Sequence, residues 1–244
     1  MNSTTFLARH YNTMTGFPGR IDNLAQMIEP WVREWNVRTA LDAGCGGGAL
    51  MLALDRLGVE PVGLDLSESM LRLALDNARA AGKAWRFAGA PFQSAGTIFP
   101  RRFDAVFVLG NAFIGLEGER AMRESLDGLR ASLKPGGHIL IQNLNFEPFF
   151  LGLKRLINRR VVGDWRYLRY AVPLDDRRLI FTAIADSEQE PLELVTNVWQ
   201  RWDRDRMVDC LHASGFTEIA IYGGINRSPY EPRSSTDLVL AARG

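Results

Sequence analysis

Residues 41–48 read Leu-Asp-Ala-Gly-Cys-Gly-Gly-Gly, an acid followed by a run in which Gly44, Gly46, Gly47 and Gly48 surround Cys45. Glycine alone combines easy positive φ with close approach to the backbone, so such a turn can lay a flat ligand against the main chain. A second acid, Asp65, comes about twenty residues after the first glycine, the spacing at which a carboxylate beyond a second strand reaches a sugar diol. A carboxylate accepts two hydrogen bonds from vicinal hydroxyls better than a neutral group does. Two plainer readings stand beside these: a strand-to-helix packing turn with no ligand, and an acid that complements the dipole of the helix after Ser67.

Asp42 bears on which ligand the turn would hold. Gly44-Cys45-Gly46-Gly47-Gly48-Ala49 satisfies the G-x-G-x-x-G/A fingerprint, so an NAD(P)-binding oxidoreductase is a competing reading. A carboxylate just ahead of the turn repels a pyrophosphate and favours a cationic amino group. S-adenosylmethionine carries an ammonium and a sulfonium and no phosphate, and the electrostatics favour it.

The elements that must position these residues alternate. A helix over 22–32 precedes a strand over 37–41, and 49–57 is a strong helix former stopped by Gly58. A short strand over 60–64 ends at Asp65, and Ser67 caps a helix reaching Ala80. Further strands are expected over 84–89, 103–109 and 138–142, the last two near-continuous apolar runs typical of strands buried on both faces. A helix over 119–133 is closed by Lys134-Pro135-Gly136-Gly137. Strands alternating with helices predict an α/β, Rossmann-like, mainly parallel sheet of seven strands with right-handed crossovers. After Asn143 the rhythm changes. Residues 146–160 are aromatic and basic and read as a short helix, either a lid or a membrane-touching segment. Residues 167–172, 179–186 and 192–202 read as three strands of an antiparallel insert. A helix over 203–213 and a C-terminal antiparallel hairpin, 216–222 with 237–242, complete the chain.

At 244 residues the chain supports one domain with an insertion: an N-terminal cap (1–36), a ligand-binding core (37–143), a lid and flap (144–202) and a C-terminal helix and hairpin (203–244). A formal net charge of +1 argues against a broad attraction to nucleic acid. Cys45 and Cys210 lack metal-ligand spacing, so no metal is expected and reduced thiols in the cytoplasm are the plain reading. No apolar run approaches a bilayer span, so no stable membrane insertion is expected.

LDAGCGGG (41–48), VGLDLSESML (62–71), FDAVFVLGNAF (103–113) and LKPGGHILIQ (133–142) stand in an order and spacing that resembles the class I S-adenosylmethionine-dependent methyltransferases. The resemblance covers nearly the whole chain apart from the flap. It implies that Gly44, Cys45, Gly46 and Gly48 line the methionine portion of the cofactor and that Asp42 lies near its amino group. It also implies that Asp65 holds the ribose, Leu66 and Met70 pack on adenine, Ala90 lies at the adenine edge, and Leu109 offers a backbone carbonyl. Tyr11 and the segment 16–20 look like the part of small-molecule members that covers the cofactor, with Arg20 pairing with its carboxylate. LGNAF (109–113) and NLNFE (143–147) look most like the glycine/sarcosine N-methyltransferase branch, but Gly115 replaces its histidine and Leu144 the arginine suited to a substrate carboxylate.

Methyl transfer from a sulfonium needs alignment more than a diagnostic residue, so no catalytic residue is assigned and a non-catalytic cofactor-binding protein is a further reading. None of the histidines is assigned as a base: His10 lies in the N-terminal segment, His138 opens the fifth strand, where a structural role is expected, and His212 sits on the late helix, at the surface or in packing. Asn111, Asn143, Asn145, Tyr167 and Tyr170, with Glu147 and Trp165 beside them, are the candidates facing a small-molecule acceptor.

Overall fold

The computed structural model describes residues 3–244. In chain order the core elements are α1 (Ser3–Thr15), α2 (Ile21–Glu34), β1 (Thr39–Ala43), α3 (Ala49–Arg56), β2 (Glu60–Asp65), α4 (Glu68–Ala80) and β3 (Arg86–Gly89). Next come α5 (Ala95–Ile98), β4 (Phe103–Val108), α6 (Gly118–Ser132), β5 (Leu133–Leu144) and α7 (Glu147–Phe150). The flap is β6 (Leu156–Val162), β7 (Trp165–Pro173), β8 (Arg178–Asp186) and β9 (Glu193–Gln200), followed by α8 (Arg204–Ala213), β10 (Thr217–Tyr222) and β11 (Asp237–Arg243).

The main sheet has the order β10-β11-β5-β4-β1-β2-β3, parallel throughout except for β11, which runs antiparallel to both neighbours. The fold is therefore α/β and Rossmann-like, as the alternation predicts. Two apolar layers hold it. Ile28, Trp31, Leu50 and Leu54 of α2 and α3 cover one face with Ala40, Phe107 and Leu140. Met122, Leu126 and Leu129 of α6 and Met207 and Leu211 of α8 cover the other with Val106, Ile139 and Leu240. Strand order reverses between β1 and β4, which opens a crevice beyond their carboxyl ends, and Gly44 begins the turn there.

Close backbone approach is built in elsewhere too. A Cβ on Gly128 of α6 would stand 2.5 Å from Gln93 Cα and O, backbone that cannot swing aside. Gly128→Ala is expected to destabilise the protein by about 1–3 kcal/mol, read as a shift in the urea midpoint; an unchanged midpoint would show that the 92–94 turn yields freely.

Two local expectations are corrected. The basic segment 146–160 is not one helix: only Glu147–Phe150 is helical, and Leu156–Val162 is a strand closed onto β7 by a turn at Gly163, whose φ is +56°. Its β-branched Ile157, Val161 and Val162 suit a pleated surface. The flap accordingly has four antiparallel strands, not three, in the order β6-β7-β8-β9. As expected, α6 stops ahead of Lys134–Gly137, which forms a bulged entry into β5: Phe103 pairs with Leu133, and two residues later Ala105 pairs with His138. The N-terminal segment is a helix whose Phe6 and Met14 pack on Tyr167, Phe181 and Val195 of the flap.

Candidate cofactor site

The turn after β1 needs its glycines. Gly44, Gly46 and Gly48 have φ of +80°, +51° and +78°. A Cβ on Gly44 would meet that of Ala112 at 2.5 Å, and one on Gly46 would meet the Tyr11 hydroxyl at 2.7 Å. Main-chain bonds from Gly44 N (2.7 Å) and Cys45 N (3.0 Å) to Leu64 O tie the turn to the end of β2. Asp65 then clasps it from below: Oδ2 accepts from Gly46 N and Oδ1 from Ser67 N, both at 2.8 Å. The second tie comes from α4, where Asn77 donates to Gly47 O at 2.8 Å and accepts from Asn12 of α1 at 2.9 Å. Helix α1 is thereby held over the glycine turn.

Asp42 is 3% exposed, and its Oδ2 has no hydrogen-bond partner. Burial raises its carboxyl to about 8, Asp65 adding to the shift and Arg20 opposing it. Burial, with Asp42 and Asp65 behind it, likewise pushes the Cys45 thiol well up, so Cys45 is an inert wall and not a nucleophile. A cavity of about 510 Å³ opens beside these groups, lined by Tyr11, Arg20, Asp42, Gly44, Cys45 and Leu109. Its far wall is Asn23, Gln142, Asn226 and Asp237, none of which the sequence singled out. Gln142 bridges that wall, donating to Asp237 at 2.8 Å and accepting from Gly110 N at 2.7 Å.

Asp65 and Leu66 face a separate, open groove with Glu68 and Arg72, where Leu66 is 74% exposed. Met70 is buried in α4, and Ala90 N donates to Asp65 O at 3.2 Å. Of the predicted cofactor residues, Tyr11, Arg20, Asp42, Gly44, Cys45 and Leu109 thus line the cavity and Asp65 and Leu66 the groove, whereas Gly46, Gly48, Met70 and Ala90 line neither.

The acceptor-side expectations fare differently. Asn145 spends its amide on structure: Nδ2 donates to Pro232 O and Ser235 O at 2.8 and 2.9 Å, while Oδ1 accepts from Glu147 N and the Tyr230 hydroxyl, both at 3.2 Å. Asn111, at φ +69°, accepts from Leu144 N and joins the β4 loop to β5. Glu147 takes a two-pronged contact from Arg201 at 3.0 Å. Tyr167 lies in the core between α1 and the flap, its hydroxyl 3.2 Å from His10 Nδ1. Strand alternation turns Tyr170 to the opposite face of β7 from Tyr167, away from the core. Trp165 packs against His10. These side chains have protein partners or packing neighbours, and Tyr170 lies on the outer face of β7. Asn143 is different: it is fully buried, and neither amide atom has a partner.

The histidines are structural. His10 is 2% exposed and bridges Tyr167 and Glu193, the latter at 2.9 Å. His138 stacks on Trp35 at 4.6 Å, and His212 is exposed on α8. Among the described residues no group of three or more His, Cys, Asp or Glu could hold a metal ion, and no helix is long and apolar enough to cross a membrane.

A family profile described as "Methyltransferase domain" matches residues 40–137, from β1 to the β5 bulge. Among curated proteins, the glycine/sarcosine N-methyltransferase of Parasynechococcus marenigrum is 31% identical over 121 residues, 50% of this chain and 43% of that protein. The ubiquinone biosynthesis O-methyltransferase of Alkalilimnicola ehrlichii is 30% identical over 61% of this chain and 60% of that protein. The chain thus aligns with less than two thirds of either relative's length. Among solved structures, the CcbJ methyltransferase from Streptomyces caelestis superposes with a TM-score of 0.79 at 21% identity, covering 97% of this chain and 95% of that one, a likeness of fold. The profile spans the strands that carry the glycine turn and Asp65, and the fold agreement spans almost the entire chain: over its first half the chain is similar in sequence to methyltransferases, and over nearly its whole length it shares the fold of one.

Proposed function

We propose that this protein transfers a methyl group from S-adenosylmethionine to a nitrogen or oxygen of a small-molecule acceptor. The observation that carries the reading is Asp42: a buried carboxylate with an orphan oxygen, at the edge of a cavity and beside a positive-φ glycine turn. Such a group is costly unless a cation completes it, and an amino acid ammonium is that cation. Arg20, across the same cavity, suits the carboxylate of the same amino acid. Asp65 keeps lone pairs for two ribose hydroxyls beyond its two backbone bonds. Leu66 and Met70 would take the adenine, and Leu109 the amino group through its carbonyl.

When bound, S-adenosylmethionine supplies an activated methyl on a sulfonium whose departure leaves a neutral thioether. The chain's own part is positioning. The glycine turn would bear against the donor, Tyr11 of α1, whose hydroxyl stands close to Gly46, would cover it, and the flap packed on α1 would exclude water. No side chain is assigned as base. The named N- and O-methyltransferase relatives support the choice of acceptor atom. Incubation with S-adenosylmethionine and a panel of amines, phenols and carboxylates is expected to release S-adenosylhomocysteine with at least one acceptor; donor binding without turnover across the panel would favour a non-catalytic role.

A further inference from the structure

Three arginines from different elements are electrostatically linked: Arg20 and Arg160 lie within reach of Arg169, and Arg20 and Arg169 act on Tyr11. Arg20 begins α2, and its N–H donates to Gly16 O at 3.0 Å. Arg160 of β6 lays its guanidinium over Gly16, so that a Cβ there would be 2.6 Å from its Nη1. Arg169 of β7 lies between Tyr167 and Ala171 in the strand's alternation, on the face that packs toward α1 and β5, and donates through Nε to the neutral Asn158 at 2.7 Å. Register sets Asn158 opposite Arg169 and Arg160 opposite Tyr167, so both flap arginines share the inner face.

Among the described residues none of the three has an ion-pair partner, whereas Arg166, on the outer face of the same strand, pairs with Asp186 at 2.9 Å. Arg169 feels the cost: burial, Arg20 and Arg160 all disfavour its charge. Asp42 offers little relief, because burial holds it protonated near neutrality. One donor carboxylate would neutralise one of these charges, at Arg20, and leave two on the flap.

We propose that Arg160 and Arg169 form an anion subsite for the acceptor, which therefore carries a carboxylate or a phosphate. The inference rests on the methyl-donor reading above, because the donor's own carboxylate is assigned to Arg20. A planar guanidinium held by Asn158 is pre-oriented for two-pronged contact with such an oxyanion.

The full chain saturated with S-adenosylhomocysteine, labelled with ¹⁵N-arginine, tests this by titration with acetate and with inorganic phosphate. A saturable shift of the Arg169 Nε–H signal is expected, and the tighter of the two anions names the acceptor group. Arg169→Gln is expected to weaken that anion at least tenfold while S-adenosylhomocysteine affinity stays within twofold. Arg169→Lys, which keeps the charge but not the fork, should lose several-fold and serves if the Gln variant fails to fold. No saturable shift at Arg169, or a saturable shift of the Arg160 Nε–H signal that is undiminished in Arg169→Gln, overturns the subsite. A tenfold loss of S-adenosylhomocysteine affinity in Arg169→Gln also overturns it, assigning the arginine to the donor and leaving the donor reading intact. If S-adenosylhomocysteine fails to bind the wild-type chain, the donor reading falls and the acceptor assignment with it.

Discussion

Asp42→Asn is expected to stabilise the donor-free protein at pH 8 and to weaken S-adenosylmethionine binding roughly 100-fold, the loss of one charge-assisted contact of about 2–3 kcal/mol. Both effects have one cause. The folded protein holds a proton on Asp42 up to about pH 8, whereas the unfolded chain releases it near the ordinary carboxylate value of 3.8. Between those values the native state binds more protons than the unfolded state, so stability falls as pH rises through the window. Asparagine removes this pH-dependent loss. The gain over wild type therefore grows from pH 5 to pH 8 and reaches on the order of 1–3 kcal/mol, the cost of an unsatisfied buried polar group. Donor binding runs the other way. An ammonium beside Asp42 favours the ionised form, so binding near neutrality releases a proton and tightens toward pH 8, until the ammonium itself deprotonates. Urea midpoints at pH 5 and 8, with calorimetry in buffers of different ionisation enthalpy, read both. Equal midpoints of variant and wild type at pH 8 would contradict the buried orphan carboxylate.

Asp65→Ala is expected to lower S-adenosylhomocysteine affinity by about 100-fold or more, and Asp65→Asn by about tenfold, since the amide keeps one acceptor of two. Alanine removes the ribose contact and the clasp on Gly46 N and Ser67 N together. The asparagine variant separates the two roles, because it can still accept from one of those backbone donors. Calorimetric titration of both variants measures the change, and unchanged affinity in Asp65→Ala would reject the ribose assignment.

Where backbone chemistry dictates structure, the sequence was legible. Runs such as 103–108 and 139–141 are apolar on every residue but Asp104, and only a strand covered on both faces accommodates that. Gly44, Gly46 and Gly48 sit at positive φ, so their types anticipate the turn. The capping signal at Ser67 also held, with Met70 N donating to Ser67 Oγ, whereas Asp203, read as the first helical residue, is the cap of α8 and accepts from Arg206 N.

The flap was read less well because its strands mix charge and apolarity. In β6 the Arg159-Arg160 pair between Asn158 and Val161 resembles the solvated face of a helix, and only pairing with β7 reveals a strand. Side-chain roles were hidden for a related reason. Asn111 and Asn145 look like cleft amides, yet backbone groups from the 144 and 232–235 segments, distant in sequence, consume them. Arg169 looked like one charge among many in a charged flap. Period-two alternation with Tyr167 and Ala171 was the available signal that it faces inward while Tyr170 faces out.

The central claim is that the glycine turn, Asp42 and Asp65 hold a cationic, phosphate-free nucleoside and not a dinucleotide. Isothermal titration of the full chain with S-adenosylhomocysteine, S-adenosylmethionine, NAD⁺ and NADP⁺ tests it most directly. One site for each of the first two ligands and no heat of binding from either dinucleotide is the result expected here. Tight binding of NAD⁺ or NADP⁺ with none of S-adenosylmethionine would contradict it.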